Sequence, residues 1–181
     1  PQRFGKNLSN VRSAIAHIAR QQQAGGKVGM ALSAARSYLF NKVLADRVAN
    51  RTWLVLLDDE VCILDGSNSM FRNDGSSDLV TRMQSGDLHT SGILWGCYAN
   101  TDLAAPSLFE QKAVKEFAEL ADSIQATKVS AARRALRAIP GDLRYKHDDG
   151  QLIVEFSLPA GCYATSLLRE LVRVVDKEYS D

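Results

Sequence analysis

Two stretches of the sequence concentrate residues able to act on a ligand. The first is LPAGCYATSLLREL at 158–171. An alternating apolar run (Leu152, Val154, Phe156, Leu158) predicts a strand that stops at Pro159, and an apolar helix carrying Arg169 and Arg173 follows. At the corner, Gly161 permits positive φ or close approach to the backbone. Tyr163 offers an aromatic face of the kind on which single nucleobases are stacked. Arg169, one or two turns later, is suited to a phosphate or a buried carboxylate. The competing reading packs Tyr163 in the core and pairs Arg169 with Glu170 or another surface acid.

The second stretch is 128–146. It carries six basic residues (Lys128, Arg133, Arg134, Arg137, Arg144, Lys146) against the single acid Asp142. Its first part predicts a helix over 127–139, ended by Pro140 and Gly141. On that helix Arg133, Arg134 and Arg137 fall within about a third of a turn, while Val129, Ala132, Leu136 and Ile139 take another face. Such a stripe can track a phosphate backbone; it also fits an ordinary solvated face.

Other chemistries find no support. His17, His89 and His147 are scattered, and no H-E-x-x-H or Cys/His cluster predicts a zinc site. Cys62, Cys97 and Cys162 are odd in number and lack metal-ligand spacing. They read as reduced thiols in a cytosolic protein, and Cys162 has no identifiable basic partner to activate it. Gly25, Gly26 and Lys27 lack Walker spacing, and there is no G-x-S-x-G. Asp58-Asp59 and Asp148-Asp149 sit where tight turns favour aspartate.

These residues must be positioned by a chain of 181 residues, enough for one large or two small domains with a real core. A formal net charge of +1 announces neither nucleic acid nor a membrane globally, so any basic patch is local. No apolar run is long enough to span a bilayer, and the start does not read as a signal peptide. The chain begins with Pro1, as a piece of something longer would.

Periodicity predicts helices over 7–23 and 31–48, the latter with Leu32, Leu39, Val43 and Leu44 inward and Arg36, Lys42, Asp46 and Arg47 in solvent. A hairpin is expected from 52–57 and 60–64, a loop over 65–78, a short helix over 78–84 and a buried segment or strand over 89–99. A helix over 107–124 opens with the capping-box pair Ser107 and Glu110. LRYKH and QLIVEFSL flank Asp149-Gly150, a hairpin signal, and a last helix covers about 162–176. Strands and helices without regular βαβ alternation predict an α+β fold. The terminal hairpin and helix read as part of a sheet whose other strands lie elsewhere.

Three ordered blocks add a resemblance. QRFG at 2–5, LSAARSYLFNKVLADRV at 32–48 and LPAGCYATSLLREL at 158–171 resemble the tRNA pseudouridine synthase D (TruD) family, and AARRALRAIP at 131–140 is similar to that family's basic helix. The similarity runs nearly end to end and is weakest over about 50–105. It implies a pseudouridine synthase catalytic domain with an inserted TRUD domain: residues 1–25 and 139–181 in the former, 26–138 in the latter. It further implies isomerisation of uridine 13 of tRNA to pseudouridine in the cytoplasm, by base flipping. A monomer with no cofactor, metal or membrane would do this. Tyr163 would lie against the flipped uridine, with Gly161, Arg169, Gln2, Arg3 and Phe4 at the substrate. Lys128, Arg133, Arg134 and Arg137 would hold RNA backbone. The family's catalytic aspartate occupies a G-x-K-D type motif that these residues do not contain, so this stretch alone is expected to be inactive. A catalytically inert tRNA- or RNA-binding module derived from the family is the alternative.

Overall fold

The computed structural model describes residues 9–12, 14, 18, 29–67, 69–98, 102–127 and 129–173. Helices and antiparallel strands are mixed in an α+β arrangement, as expected. The chain divides into two compact units between Arg137 and Ala138.

Unit 1 is organised on helix α2 (Met30–Ala49). Leu32, Ala35, Leu39 and Val43 recur every three or four residues and are all buried, so one stripe of the helix faces the core. Helix α1 (Ser9–Arg12) packs against it, and Val11, Ala14 and Ile18 join the same core. The remainder of the helix expected over 7–23 lies outside the described residues. Two residues of α2 expected in solvent are not there. Arg47 is 2 % exposed. Arg36 is partly buried, its Nη2 donating to the carbonyls of Leu94 and Ser130 at 3.1 and 2.9 Å.

A four-stranded antiparallel sheet runs in the order β2-β1-β3-β4, from β1 (Val61–Leu64), β2 (Met70–Arg72), β3 (Leu88–Leu94) and β4 (Ala132–Ala135). β3 is central, with Cys62 opposite Thr90 on one side and Arg134 opposite Gly92 on the other. Helix α3 (Asp78–Ser85) closes a second, smaller core of Cys62, Leu79, Met83 and Leu88.

Four expectations are corrected. Residues 52–57 are not a strand. Arg47 donates to the carbonyls of Thr52 and Val55 at 2.7 and 2.8 Å, and the Thr90 hydroxyl donates to that of Trp53 at 2.8 Å. Side chains thus take the backbone acceptors that a ladder would need, and Trp53, Leu54 and Val55 point partly outward. β1 pairs instead with β2, which lies inside the stretch expected to be a loop. The helix expected over 107–124 breaks into α4 (Leu108–Ala113), a 3₁₀ turn (Lys115–Phe117) and α5 (Ala118–Gln125). At the break Phe117 meets Tyr38 edge to face with ring centroids 5.2 Å apart.

The fourth correction is the basic helix. Residues 132–135 form β4, so Arg133 and Arg134 point to opposite faces instead of sharing one. The reason is the demand of Arg133. Its side chain is 3 % exposed, and all of its nitrogens donate. Nε reaches the Leu103 carbonyl, Nη1 reaches Ser91 Oγ and Glu110 Oε1, and Nη2 reaches the Ala105 carbonyl and Glu110 Oε2. Glu110 is itself buried. It completes the capping box of α4, exchanging hydrogen bonds with Ser107, and also accepts the β3 amide of Ile93 at 2.8 Å. Arg47 and Glu60 form a second buried pair at 2.7 Å. Burial pushes the Glu60 carboxyl up against the pull of Arg47.

Unit 2 comprises β5 (Gly141–Asp148), β6 (Gln151–Ser157) and α6 (Ala164–Leu171). The hairpin turns on Asp149 and Gly150, at φ 46° and 75°, as a type I′ turn requires. Tyr145 opposes Val154 and His147 opposes Leu152, giving an apolar face; Arg144 opposes Glu155 on the other. The last helix is shorter than expected, since Val172 is already extended. None of the described residues of unit 2 falls in the buried class.

Three outcomes follow for the full-length protein. Glu110→Ala strands the buried Arg133 cation and is expected to lower the unfolding free energy in urea by about 3–5 kcal/mol. The double variant Glu110→Gln, Arg133→Met is expected to lose less than the sum of its singles. Burial, reinforced by the charge of Glu60, lifts the Cys62 thiol from its ordinary 9.0 to about 11. Between those values the unfolded chain releases the thiol proton and the folded chain keeps it, so stability falls as pH rises from about 9 to 11. Cys62→Ala flattens that slope in denaturation curves taken across this window.

Candidate nucleic-acid interface

The corner at 158–163 is formed as its residue types demand. The Cys162 amide donates to the Pro159 carbonyl at 3.1 Å, and Gly161 has φ 86°. An i to i+3 hydrogen bond and a left-handed third residue are the features of a type II turn; Pro159, at its first position, ends the strand that precedes it. Any Cβ at Gly161 would be strained there. The chain then enters α6 through Tyr163, an extended residue at the N-cap position (φ −116°, ψ 122°). Its carbonyl accepts the Ser166 amide at 2.9 Å. Tyr163 is 53 % exposed, so it is not a core residue of this unit.

Arg169 is exposed in the last turn of α6. It stands five residues beyond Ala164, about 7.5 Å along the axis, so the helix does not bring it beside Tyr163. It is adjacent in sequence to Glu170, a spacing at which helical side chains do not face each other. Gln2, Arg3, Phe4 and Lys128 lie outside the described residues.

The basic residues of the 128–146 stretch separate. Arg133 is committed to Glu110 and to carbonyls of unit 1, and its guanidinium is withdrawn from solvent. Arg134 is partly buried, with its guanidinium 5.7 Å from the centre of the Phe40 ring. Arg137 turns inward: Nε donates to His89 Nδ1 at 2.9 Å, and Nη2 donates to the carbonyls of Met83 and Leu88. Burial lowers its pKa, opposed by the charge of Asp65. Arg144 and Lys146 remain exposed on β5.

Unit 1 also holds a cavity of about 270 Å³ between the Arg47–Glu60 and Arg133–Glu110 pairs, floored by Val43 and Phe109. Within its lining Arg47 pairs with Glu60 and Arg133 with Glu110, while Asp59 pairs outward with Arg72 at 2.7 Å. Among the described residues no three His, Cys, Asp or Glu side chains converge as metal ligands, and no helix is long and apolar enough to cross a membrane. Sequence reading missed both buried pairs and the contacts of His89. Only the capping-box spacing of Ser107 and Glu110 pointed toward any of them.

Comparison with known proteins bears on the whole chain. The family model for tRNA pseudouridine synthase D (TruD) matches residues 2–171. A tRNA pseudouridine synthase D from Xanthomonas oryzae pv. oryzae is 39 % identical, over 97 % of this chain and 53 % of the relative. That from Methylococcus capsulatus is 36 % identical, over 100 % of this chain and 52 % of the relative. The chain thus spans about half the length of the curated relatives it matches. A crystal structure from Methanosarcina mazei assigned to tRNA pseudouridine synthase D superposes with a TM-score of 0.58 at 19 % identity, covering 94 % of this chain and 45 % of that one. With the family's sequence pattern matched across both units, the chain belongs to the tRNA pseudouridine synthase D (TruD) family.

Proposed function

We propose that the full-length protein is a tRNA pseudouridine synthase acting on uridine 13, and that these residues supply part of its substrate-binding surface. The observation that carries this reading is the family match over residues 2–171, which spans both units. The catalytic aspartate comes from sequence outside these 181 residues, since no G-x-K-D motif occurs in them. The chemistry follows from what pseudouridine is. The target base leaves the stack, an aspartate bonds to the sugar or the base, the glycosidic C–N bond breaks, the base rejoins the sugar through C5 with the aspartate released, and C5 gives up its proton while N1 takes one. The exchange is internal and consumes no co-substrate.

In this reading Tyr163 lies against the flipped uridine. Its support is local: the left-handed Gly161 keeps the approach to the corner free of a Cβ, and Tyr163 is half exposed at the helix start. Gln2, Arg3, Phe4 and Arg169 complete the substrate surface. Arg133 and Arg137 are engaged inside unit 1 and withdrawn from the RNA backbone; Lys128 and Arg134 keep that role on the family resemblance alone. Unit 1 corresponds to the inserted TRUD domain, its start drawn back to include α1, because Val11, Ala14 and Ile18 share its core. Residues 139–181 belong to the catalytic domain. A second reading, an RNA-binding module without chemistry of its own, is favoured only by the missing motif. The full-length protein decides it by binding tRNA and leaving it unmodified.

The test is tRNA turnover and tRNA binding measured in parallel. Tyr163→Ala in the full-length protein is expected to lower kcat by about 5- to 150-fold, the equivalent of about 1–3 kcal/mol of stacking. Affinity, carried by many phosphate contacts, changes little. A large loss of affinity with normal turnover would remove Tyr163 from the reacting base. Failure of the wild-type protein to form pseudouridine in tRNA would refute the enzyme reading.

A further inference from the structure

Asp65, His89 and Arg137 form a chain of contacts at the end of unit 1. His89 is 5 % exposed. Its Nε2 lies 2.7 Å from Asp65 Oδ1, and its Nδ1 accepts from Arg137 Nε at 2.9 Å. A guanidinium only donates, so Nδ1 carries no proton, and Nε2 donates to Asp65. The tautomer is set from both sides.

The location gives this chain its meaning. β3 and β4 pair by backbone from Leu94 opposite Ala132 to Ser91 opposite Ala135, and the Leu136 amide continues to the Thr90 carbonyl at 2.9 Å. There the backbone ladder ends. The side chain of Arg137 prolongs it along β3, to the ring of His89 and to the carbonyl of Leu88 at 3.1 Å, with a further bond to the Met83 carbonyl at the end of α3. Asp65 is held in turn, its amide donating to the Asp87 carbonyl at 2.9 Å. Arg137 is the last residue of unit 1. Nε and Nη2 of this side chain are spent on three groups, two on one strand and one at a helix end, and are withdrawn from any phosphate.

We infer that Arg137, oriented by His89 and Asp65, is a positioning residue: it clamps the point at which the chain leaves unit 1 for the segment bearing Tyr163. Its activity readout rests on the reaction proposed above. The clamp does not touch RNA, so its loss changes the geometry of the reacting complex without removing a backbone contact.

The experiment uses the full-length protein and tRNA. Arg137→Gln and His89→Gln, the second lacking an acceptor at the Nδ1 position, are expected to lower kcat about tenfold or more, the effect of misplacing a reacting geometry from a distance. Affinity for tRNA and its salt slope stay unchanged. His89→Asn, whose amide oxygen can stand where Nδ1 stood, remains within about twofold of wild type. A salt slope reduced by about one with weakened affinity in Arg137→Gln would make Arg137 a phosphate contact and overturn the proposal. Unchanged kcat in Arg137→Gln, or equal kcat in His89→Gln and His89→Asn, would also overturn it. If Arg137→Gln does not fold, the two His89 variants decide. A wild-type protein that forms no pseudouridine defeats the reading of function alone, and ¹⁵N resonances of His89 then judge the clamp. A proton on Nε2 with Nδ1 bare supports it; a proton on Nδ1 refutes it.

Discussion

The carboxylate of Glu110 is the constraint on which the fold of unit 1 hangs. Its two oxygens serve a helix cap, a central-strand amide and a buried guanidinium at once. Each claim fixes one element. The cap sets where α4 begins, the Ile93 amide ties that helix to β3, and Arg133 brings in β4 from the far end of the unit. A buried carboxylate is tolerable only when its lone pairs are taken, and a buried guanidinium only when its donors are. The two groups therefore specify each other, and neither the strand nor the cap is free to shift register. Arg47 does similar work on a smaller scale, drawing the 52–57 backbone round itself and into contact with Glu60.

This explains which parts were legible in the sequence. Elements governed by neighbours in sequence were read correctly: α2 from its 3.6-residue stripe, the capping box from Ser107 and Glu110, the hairpin from Asp149-Gly150. Segments governed by a distant polar partner were misread. ARRALR has good helix formers and an apolar stripe, and only Glu110, 23 residues away, makes Arg133 a strand residue. TWLVLL has strand composition, and side chains distant in sequence, Arg47, Asn73 and Thr90, take its carbonyls. Periodicity reports on apolar burial, and a buried charge gives no periodic signal. The corner at 158–163 was legible because glycine, proline and an exposed aromatic each carry a local conformational meaning. The role of Tyr163 was not, since it depends on what approaches from outside.

The two units differ in how they are held. Unit 1 has two apolar clusters and two buried ion pairs. Unit 2 has a two-stranded ribbon and a helix whose described apolar residues are exposed or only half-buried. An isolated ribbon of this size is marginal in water. Half of the length of its relatives lies outside this chain, ample polypeptide to cover those residues.

That no described residue of unit 2 is buried bears on the order in which the molecule is made. A hairpin with a type I′ turn closes on the microsecond scale from local contacts alone. Unit 2 can therefore sample its strand pairing as soon as it emerges, and is held in it only when a surface receives it. Chains fold from the N-terminus as they are synthesised, and unit 2 follows unit 1 in sequence. Its attachment is a late event in biogenesis, and the interval before it is the one in which exposed Tyr145, Leu143 and Leu152 are open to capture by a chaperone or another nascent chain.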